Sequence, residues 1–211
     1  MHPQNDLQKH WQLDPSIDFL NHGSFGACPT PVLAAQREHQ DALERRPLEF
    51  LAPERQLEPK LDLVRDVLAS LVGVDPSSIA FVRNATDGVN AVLRSMPLSE
   101  HDEIVITSHG YNACNNVAHY VATPCKAKVV TAAVPFPLAH EDEVIAAIEA
   151  ALTPRTRVLM VDHVTSFSGL VFPLARIIEL AHRNGTRVLV DGAHAPGMLP
   201  LDLKSLNPDY Y

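Results

Sequence analysis

Short β-branched runs alternate with amphipathic helical patterns along most of the chain, and this alternation restricts the fold more than any other feature. Runs of Val, Ile and Leu with little polar alternation are typical of strands that are covered on both faces. Five such runs are predicted as strands, at 79–83, 103–107, 128–131, 157–162 and 187–191. Helices are predicted between or after them at 87–95, 112–122, 141–152 and 174–183. Strands that alternate with helices predict an α/β fold with a mostly parallel, doubly wound sheet.

The chain before the first predicted strand has a different pattern. Two helices are predicted there, at 31–46 and 53–71, and Pro59 is expected to interrupt the second one. We therefore predict an N-terminal arm at 1–30, a helical segment at 31–72 and an α/β domain at 73–211.

Composition narrows the class of protein. The 211 residues carry a formal net charge of −8 and no run of lysine and arginine, so nucleic acid and anionic membranes are not expected as partners. No apolar run approaches the roughly 20 residues that span a bilayer, and the N-terminus lacks the apolar stretch of a signal peptide. The cysteines form no CxxC pair, which suits a reducing compartment (Cys28, Cys114 and Cys125). A cytoplasmic location is expected.

Ligands of open α/β sheets bind at the carboxyl ends of the strands, so the residues that follow the predicted strands are the candidates for function. Asp191 ends one strand and is followed by Gly192 and other small residues, which leaves room for a flat ligand beside a carboxylate. Such a carboxylate is able to pair with a protonated pyridine nitrogen. Aspartate is also common after strands as a turn or cap residue, and this alternative stays open.

The segment NATDGVN at 84–90 follows another predicted strand and opens a helix. Backbone N–H groups at a helix N-terminus, together with the hydroxyl of Thr86, suit an anion such as a phosphate. A simple N-cap by Asn84 or Thr86 is the alternative. The chain has neither the GKS or GKT of a P-loop nor a GxGxxG motif, which disfavours a dinucleotide.

Two further strand ends carry residues that suit a planar ligand. The ring of His109 or of Tyr111 is able to stack on such a ligand. The segment HVTSFSG at 163–169 supplies the hydroxyls of Thr165, Ser166 and Ser168 for its polar rim. Four strand ends of one sheet would then serve a single ligand.

A metal-hydrolase interpretation is a further alternative. Four residues near two strand ends have side chains that suit zinc, namely Asp162, His163, Asp191 and His194. No HExxH motif or comparable spacing accompanies them, so the sequence favours a site without metal.

Five motifs, taken in order, resemble the class V aminotransferase family of fold-type I pyridoxal-phosphate enzymes, and most of all its isopenicillin N epimerase-like and C–S lyase-like branch. They are FLNHGSFG at 19–26, NATDGVN at 84–90, HGYNA at 109–113, HVTSFSG at 163–169 and VDGAHAPG at 190–197. The resemblance implies pyridoxal 5'-phosphate as the cofactor, an amino acid as the substrate and a homodimer as the assembly.

The resemblance also implies roles for individual residues at the cofactor. Asp191 corresponds to the carboxylate that pairs with the pyridine nitrogen, and His194 to the residue that hydrogen-bonds the phenolic oxygen of the ring. Ala85 and Thr86 correspond to the phosphate-binding turn. The remaining matches are less direct.

Tyr111, or alternatively His109, corresponds to the aromatic residue that stacks on the cofactor. Tyr111 also corresponds to an acid in C–S cleavage, and Ser166 lies near the position that contacts the substituents of the ring. Three residues of the N-terminal segments are candidates for substrate binding, namely Asn21, His22 and Arg46.

One departure from the family pattern is large. The family carries a His-Lys pair about two dozen residues after the aspartate motif, and its lysine forms a Schiff base with the cofactor. The sequence ends at Tyr211, before that position, and none of its lysines corresponds to it. We expect the complete protein to be a pyridoxal-phosphate epimerase, racemase or C–S lyase. The alternative is a non-catalytic remnant that binds the cofactor or a partner.

Overall fold

The computed structural model describes residues 6–211. These residues form two compact units, one that ends at Val67 and one at Leu68–Tyr211. The boundary between these units falls inside one helix, α4 (Glu58–Val72).

The first unit is helical. After a 3-10 turn at Asp6–His10 come α1 (His22–Phe25), α2 (Thr30–Arg45), α3 (Pro47–Leu51), a π-helical turn at Pro53–Leu57 and the beginning of α4. Proline lies in the first turns of α2 and α3, where its missing N–H leaves no hydrogen bond unmade. Pro59 also lies in the first turn of α4, where a missing N–H is tolerated. It was predicted to interrupt a helix at 53–71, but α4 instead begins just before it and continues through it.

The second unit is built on four strands, β1 (Glu103–Thr107), β2 (Lys128–Ala132), β3 (Thr156–Asp162) and β4 (Arg187–Asp191). Its helices are α5 (Ala85–Ser95), α6 (Asn112–Cys125), α7 (Asp142–Ala151), α8 (Leu174–Arg183) and α9 (Leu203–Leu206). The strands form one sheet in the order β2-β1-β3-β4, and all neighbouring pairs are parallel. The predicted α/β fold with a parallel sheet is confirmed.

The sheet is covered on both faces, which explains why its strands are almost continuously apolar. Alternate residues of a strand point to opposite faces. On one face, residues such as Val105, Leu159 and Val188 share a buried cluster with Ile148 of α7 and Ile177 of α8. On the other face, the buried cluster joins residues of the strands to α5 and α6, and includes Ile104, Met160, Leu189, Leu93 and Ala118.

The direction of the chain across the sheet reverses between β1 and β3. From β1 the chain passes through α6 to β2 on one side, and from β3 it passes through α8 to β4 on the other side. Ligands of open α/β sheets bind at the carboxyl ends of the strands where the order reverses. The ends of β1, β3 and β4 are therefore the part of this unit that is placed to bind a ligand.

The predicted strand at 79–83 is wrong. The structure has no strand there, and residues 80–83 are exposed. Strand propensity reflects how well a side chain fits a partly buried, pleated surface, and these residues do not lie on such a surface. The segment instead leads into α5. No helix of the described residues combines the length and the apolar character needed to cross a membrane.

Candidate functional site

Two buried aspartates end neighbouring strands. Asp162 ends β3, Asp191 ends β4, and the two residues are partners in the register of the sheet. Their exposed fractions are only 5% and 7%. Residues two positions earlier in each strand, Met160 and Leu189, belong to the cluster beneath α5 and α6. Because side chains two apart share a face, the two carboxylates lie side by side on that face of the sheet.

The carboxylate of Asp191 is held by two donors. The backbone N–H of Ala193 donates to Oδ1 over 3.1 Å, and the thiol of Cys114 donates to Oδ2 over 3.2 Å. The carbonyl of Asp191 accepts a hydrogen bond from the backbone N–H of His163. These contacts fix the carboxylate at the end of β4 and leave it the capacity to accept a further hydrogen bond.

Cys114 connects Asp191 to Thr86. Burial, followed by the negative charge of Asp191, raises the pKa of the Cys114 thiol to about 12, whereas a hydrogen bond with the Thr86 side chain opposes that rise. The thiol therefore stays protonated at neutral pH and acts as a donor, not as a nucleophile. Since one side chain contacts both Thr86 and Asp191, the structure brings these two predicted residues to the same place.

Asp162 has an unusual affinity for its proton. Burial and the charge of Asp191 raise its pKa from an ordinary 3.8 to about 7, although hydrogen bonds from the backbone N–H groups of Tyr111 and of Asp162 itself favour the charged form. Across the described residues, no lysine, arginine or histidine forms an ion pair with Asp162 or Asp191. The pair of carboxylates is thus not balanced by a cation of this unit.

The N-terminus of α5 is open to an anion. The side chain of Asn84 accepts a hydrogen bond from the backbone N–H of Asp87 over 2.8 Å and so caps the helix. No acceptor within the described chain binds the backbone N–H of Ala85 or of Thr86. Unpaired N–H groups in the first turn of a helix attract anions, and here Thr86 adds its hydroxyl.

Tyr111 and His109 differ in their surroundings. Tyr111 directly precedes α6, its side chain is 46% exposed, and its backbone N–H faces Asp162. His109 is buried next to Phe172, and its ring nitrogens contact Ser168 Oγ over 2.7 Å and the carbonyl of Val134 over 3.2 Å. Phe172 belongs to the cluster on the opposite face of the sheet. The geometry therefore does not support His109 as a stacking ring and leaves Tyr111 as the candidate.

The hydroxyls of the segment after β3 bond mostly to one another. Thr165 Oγ1 lies 2.8 Å from Ser168 Oγ and accepts a hydrogen bond from the backbone N–H of Leu170. Through Ser168 this network reaches His109, so it links the segments that follow β1 and β3. Ser166 is exposed at the same turn, and its predicted contact with a ligand stays a prediction.

His194 and Tyr211 lie around the turn that follows β4. His194 is half-buried three residues after Asp191. The ring of Tyr211 packs on the backbone of Gly192, where a Cβ atom would come within 2.2 Å of it, and its hydroxyl lies 2.9 Å from His163 Nδ1. Burial and the charge of Asp191 raise the pKa of Tyr211 to about 12. A side chain at position 192 would therefore displace this ring.

The three predicted substrate-binding residues belong to the first unit, and all of them are exposed there (Asn21, His22 and Arg46). The His22 ring packs edge-on against Phe19, with 4.7 Å between ring centroids. Their predicted roles stay predictions. The metal interpretation has no support, because no group of three or more potential ligands is found in the described residues.

Sequence reasoning missed two parts of this site. From the sequence, Cys114 was named only among the cysteines that form no CxxC pair, and Asp162 only as a metal ligand. Asp162 had a visible signal, since it ends a predicted strand as Asp191 does. Cys114 had no such signal, because only the tertiary structure brings the first turn of α6 to Asp191 at the end of β4.

Comparison with known proteins identifies the family of the chain. The family model "Aminotransferase class-V" matches residues 29–211. The chain is 40% identical to the isopenicillin N epimerase of Amycolatopsis lactamdurans over 94% of this chain and 50% of that protein. It is 28% identical to the hercynylcysteine sulfoxide lyase of Schizosaccharomyces pombe over 98% of this chain and 52% of that protein. The chain thus spans about half the length of these curated relatives.

Solved structures give the same assignment. The fold matches the cystine C–S lyase C-DES, solved in complex with its reaction product cysteine persulfide, with a TM-score of 0.82 and 29% identity. The match covers 92% of this chain and 51% of that chain. With a family model that covers most of its length, the chain belongs to the class-V aminotransferase family.

Proposed function

We propose that the complete protein is a pyridoxal 5'-phosphate-dependent enzyme that acts on an amino acid. The observation that carries the proposal is the placement of Asp191 and Thr86 on one buried thiol, at the carboxyl end of the sheet. Among the structural relatives, C-DES has been solved with glycine covalently linked to its pyridoxal-phosphate cofactor. Family membership therefore extends the cofactor to this chain.

The residues present fit this cofactor at both of its ends. A phosphate needs donors, and the first turn of α5 offers the N–H groups of Ala85 and Thr86, for which the described chain has no acceptor. A protonated pyridine nitrogen needs a buried carboxylate, and Asp191 provides one that no cation of the described chain balances. A cofactor that is anionic at one end and cationic at the other complements this arrangement.

The chain's own residues divide the work of binding and orientation. Ala85 and Thr86 would hold the phosphate, and Asp191 would keep a proton on the pyridine nitrogen. Tyr111 would lie against the face of the ring, and His194 would donate to its phenolic oxygen. When bound, pyridoxal phosphate supplies an electron sink for negative charge at the Cα atom of an amino acid.

The reaction type divides into two proposals. Epimerisation or racemisation at Cα is favoured by the 40% identity to isopenicillin N epimerase. C–S cleavage is favoured by the structural likeness to C-DES and by the hercynylcysteine sulfoxide lyase. Tyr111 would have a different role in the two reactions, because only C–S cleavage requires an acid that protonates a sulfur leaving group. We place Tyr111 in that role for the lyase proposal.

The experiment is a titration of the full-length protein with pyridoxal phosphate. We expect a visible absorbance band that borohydride bleaches, and its absence would contradict the proposal. Incubation of the loaded protein with L-amino acids in D₂O then separates the reaction types. Deuterium at Cα of an amino acid whose configuration has been inverted indicates an isomerase, whereas release of a sulfur product indicates a lyase.

The homodimer and the cytoplasmic location expected from the sequence belong to the same proposal. The support for the homodimer is the family resemblance, in which the site is completed across two subunits. Light scattering of the full-length protein measures its mass directly. Twice the mass of one chain is the expected result.

A further inference from the structure

Asp162 occupies the position in the sheet where a ligand is most expected. It ends β3 on the side where the order of the strands reverses between β1 and β3. It is 5% exposed, lies in register with Asp191, and faces the backbone N–H of Tyr111, the residue that follows β1 and precedes α6. A buried carboxylate in this place is costly, because it repels its neighbour and has no cation beside it in the described chain.

We propose that Asp162 is a second functional carboxylate of the cofactor site, which acts through Asp191 by adding negative charge beside a protonated ring nitrogen. The inference rests on the proposed function and extends it to a residue that does not itself pair with the ring. Asp162 thus acts on the bound ring only through its charge and through Asp191. The bound ring in turn changes how readily Asp162 ionises.

The coupling follows from the charges. Without a cation, the ionised Asp191 repels a second negative charge, so Asp162 keeps its proton up to about pH 7. A protonated nitrogen bound at Asp191 neutralises that charge and lets Asp162 ionise at lower pH. By linkage, the ionised form of Asp162 must then bind the protonated ring more tightly than the neutral form does.

The other groups around Asp162 have pKa values that are shifted away from 7. From α6 comes the thiol of Cys114, and beside Asp191 lies the hydroxyl of Tyr211, both with pKa values raised to about 12. His163 follows Asp162 in the chain, and burial lowers its pKa from the ordinary 6.5, away from the pKa of Asp162. From α5 comes the uncharged Thr86, whose hydroxyl contacts Cys114. Asp162 is therefore the group placed to titrate near pH 7.

The test compares full-length wild type with Asp162→Asn, which removes the charge and keeps an oxygen that accepts from Tyr111. The dissociation constant of pyridoxal phosphate is measured for both from pH 5.5 to 8.5. We expect the ratio of the two constants to be near one at pH 5.5 and about 10 at pH 8.5, with the wild type binding more tightly, since a tenfold change corresponds to one pKa unit. Titration of the cofactor itself is common to both proteins and cancels in the ratio.

Asp102→Asn is the matched control. Asp102 is also a buried aspartate, 6% exposed, but it directly precedes β1 at the opposite end of the sheet. Its replacement should leave the ratio near one at every pH. Asp162→Ser, which also lacks a charge, replaces the Asn variant if that protein does not fold.

Each outcome has one meaning. A ratio that stays constant with pH would overturn the role of Asp162, because a merely structural contact changes affinity without following its titration. A ratio that rises at low pH would overturn it as well, since the sign would be reversed. If neither protein binds pyridoxal phosphate at any pH, the proposed function itself fails.

Discussion

The two ends of the sheet each carry two buried acidic residues, but in opposite electrostatic settings. At the amino end, Arg157 lies 2.7 Å from Asp102 and Arg155 lies 2.9 Å from Glu103. At the carboxyl end, Asp162 and Asp191 adjoin each other with no cation of the described chain between them. The same residue types therefore serve different purposes at the two ends.

The pKa values follow this difference. At the amino end, the hydrogen bond from Arg157 lowers the pKa of Asp102, and the hydrogen bond from Thr153, followed by that from Arg155, lowers the pKa of Glu103. At the carboxyl end, burial and a like charge raise the pKa of Asp162 to about 7. Pairs that are satisfied within the chain stabilise the fold, whereas unbalanced buried charge is typical of a binding site.

Removal of one carboxylate from each end gives the largest expected contrast. Asp191→Ala should weaken pyridoxal-phosphate binding by about 100-fold or more, because a buried charge partner of the ring nitrogen is lost. Asp102→Ala should change the same dissociation constant by less than about twofold, since the two sites lie at opposite ends of the sheet and are independent. Equilibrium titration of the full-length variants measures both. Equal losses in the two variants would mean that the ends do not differ as described.

The comparison also predicts that the unbalanced carboxylates at the carboxyl end of the sheet lower the free energy of unfolding. A raised folded-state pKa means that the folded protein binds more protons than the unfolded chain between about pH 4 and 7, so stability falls as the pH rises through this range. The rise of the Asp162 pKa from 3.8 to about 7 corresponds to roughly 4 kcal/mol at pH 8. Asp162→Asn should recover up to that amount.

Urea denaturation of the cofactor-free protein checks this second prediction. The gain in the free energy of unfolding should be largest at pH 8 and less than half as large at pH 5, because the wild type already carries a proton on Asp162 there. A loss of stability at pH 8 would show that the charged form of Asp162 is favourable, contrary to the comparison.

The sequence predicts those elements that are determined by neighbouring residues and does not predict those that depend on tertiary contacts. The bounds of α8 (Leu174–Arg183) were predicted correctly, since Pro173 precedes the helix and Gly185, with a φ of 75°, follows its end. These are local signals. The segment 79–83 has equally strong local propensity, but it lies outside the sheet with residues 80–83 exposed, and only the tertiary structure determines that.

The site shows the same division. Asp191 and Thr86 were identified because each follows a β-branched run, which is visible in the chain. The proton affinity of Asp162 depends on its register with Asp191, and the role of Cys114 depends on the tertiary contact that brings its thiol to Asp191. Neither property is encoded by spacing along the sequence, so neither residue was predicted in its role.

At the amino end, we expect a smaller effect on stability with the opposite dependence on pH. Glu103→Gln should cost about 1 kcal/mol at pH 7, because Arg155 is more than half exposed and water screens much of the ion pair. The folded-state pKa of Glu103 is lowered, so its contribution is present above its ordinary value of 4.5 and is lost as the pH falls below it. Thermal unfolding of both proteins at pH 7 and pH 3 should therefore show the difference shrinking in acid. A constant difference would assign the cost to packing.

The last prediction requires no substitution and compares the reactivity of two cysteine thiols. Cys114 is 1% exposed beside Asp191, with a pKa raised to about 12, whereas Cys28 is exposed. Because the thiolate is the reactive form, a maleimide at pH 8 should modify Cys28 in the native protein and leave Cys114 unmodified until the chain is unfolded. Mass spectrometry of the digested protein identifies the labelled peptides, and labelling in urea is the control. Rapid labelling of native Cys114 would mean that the carboxyl end of the sheet opens to solvent, and the contrast between an unbalanced, buried end and a paired one would then no longer hold.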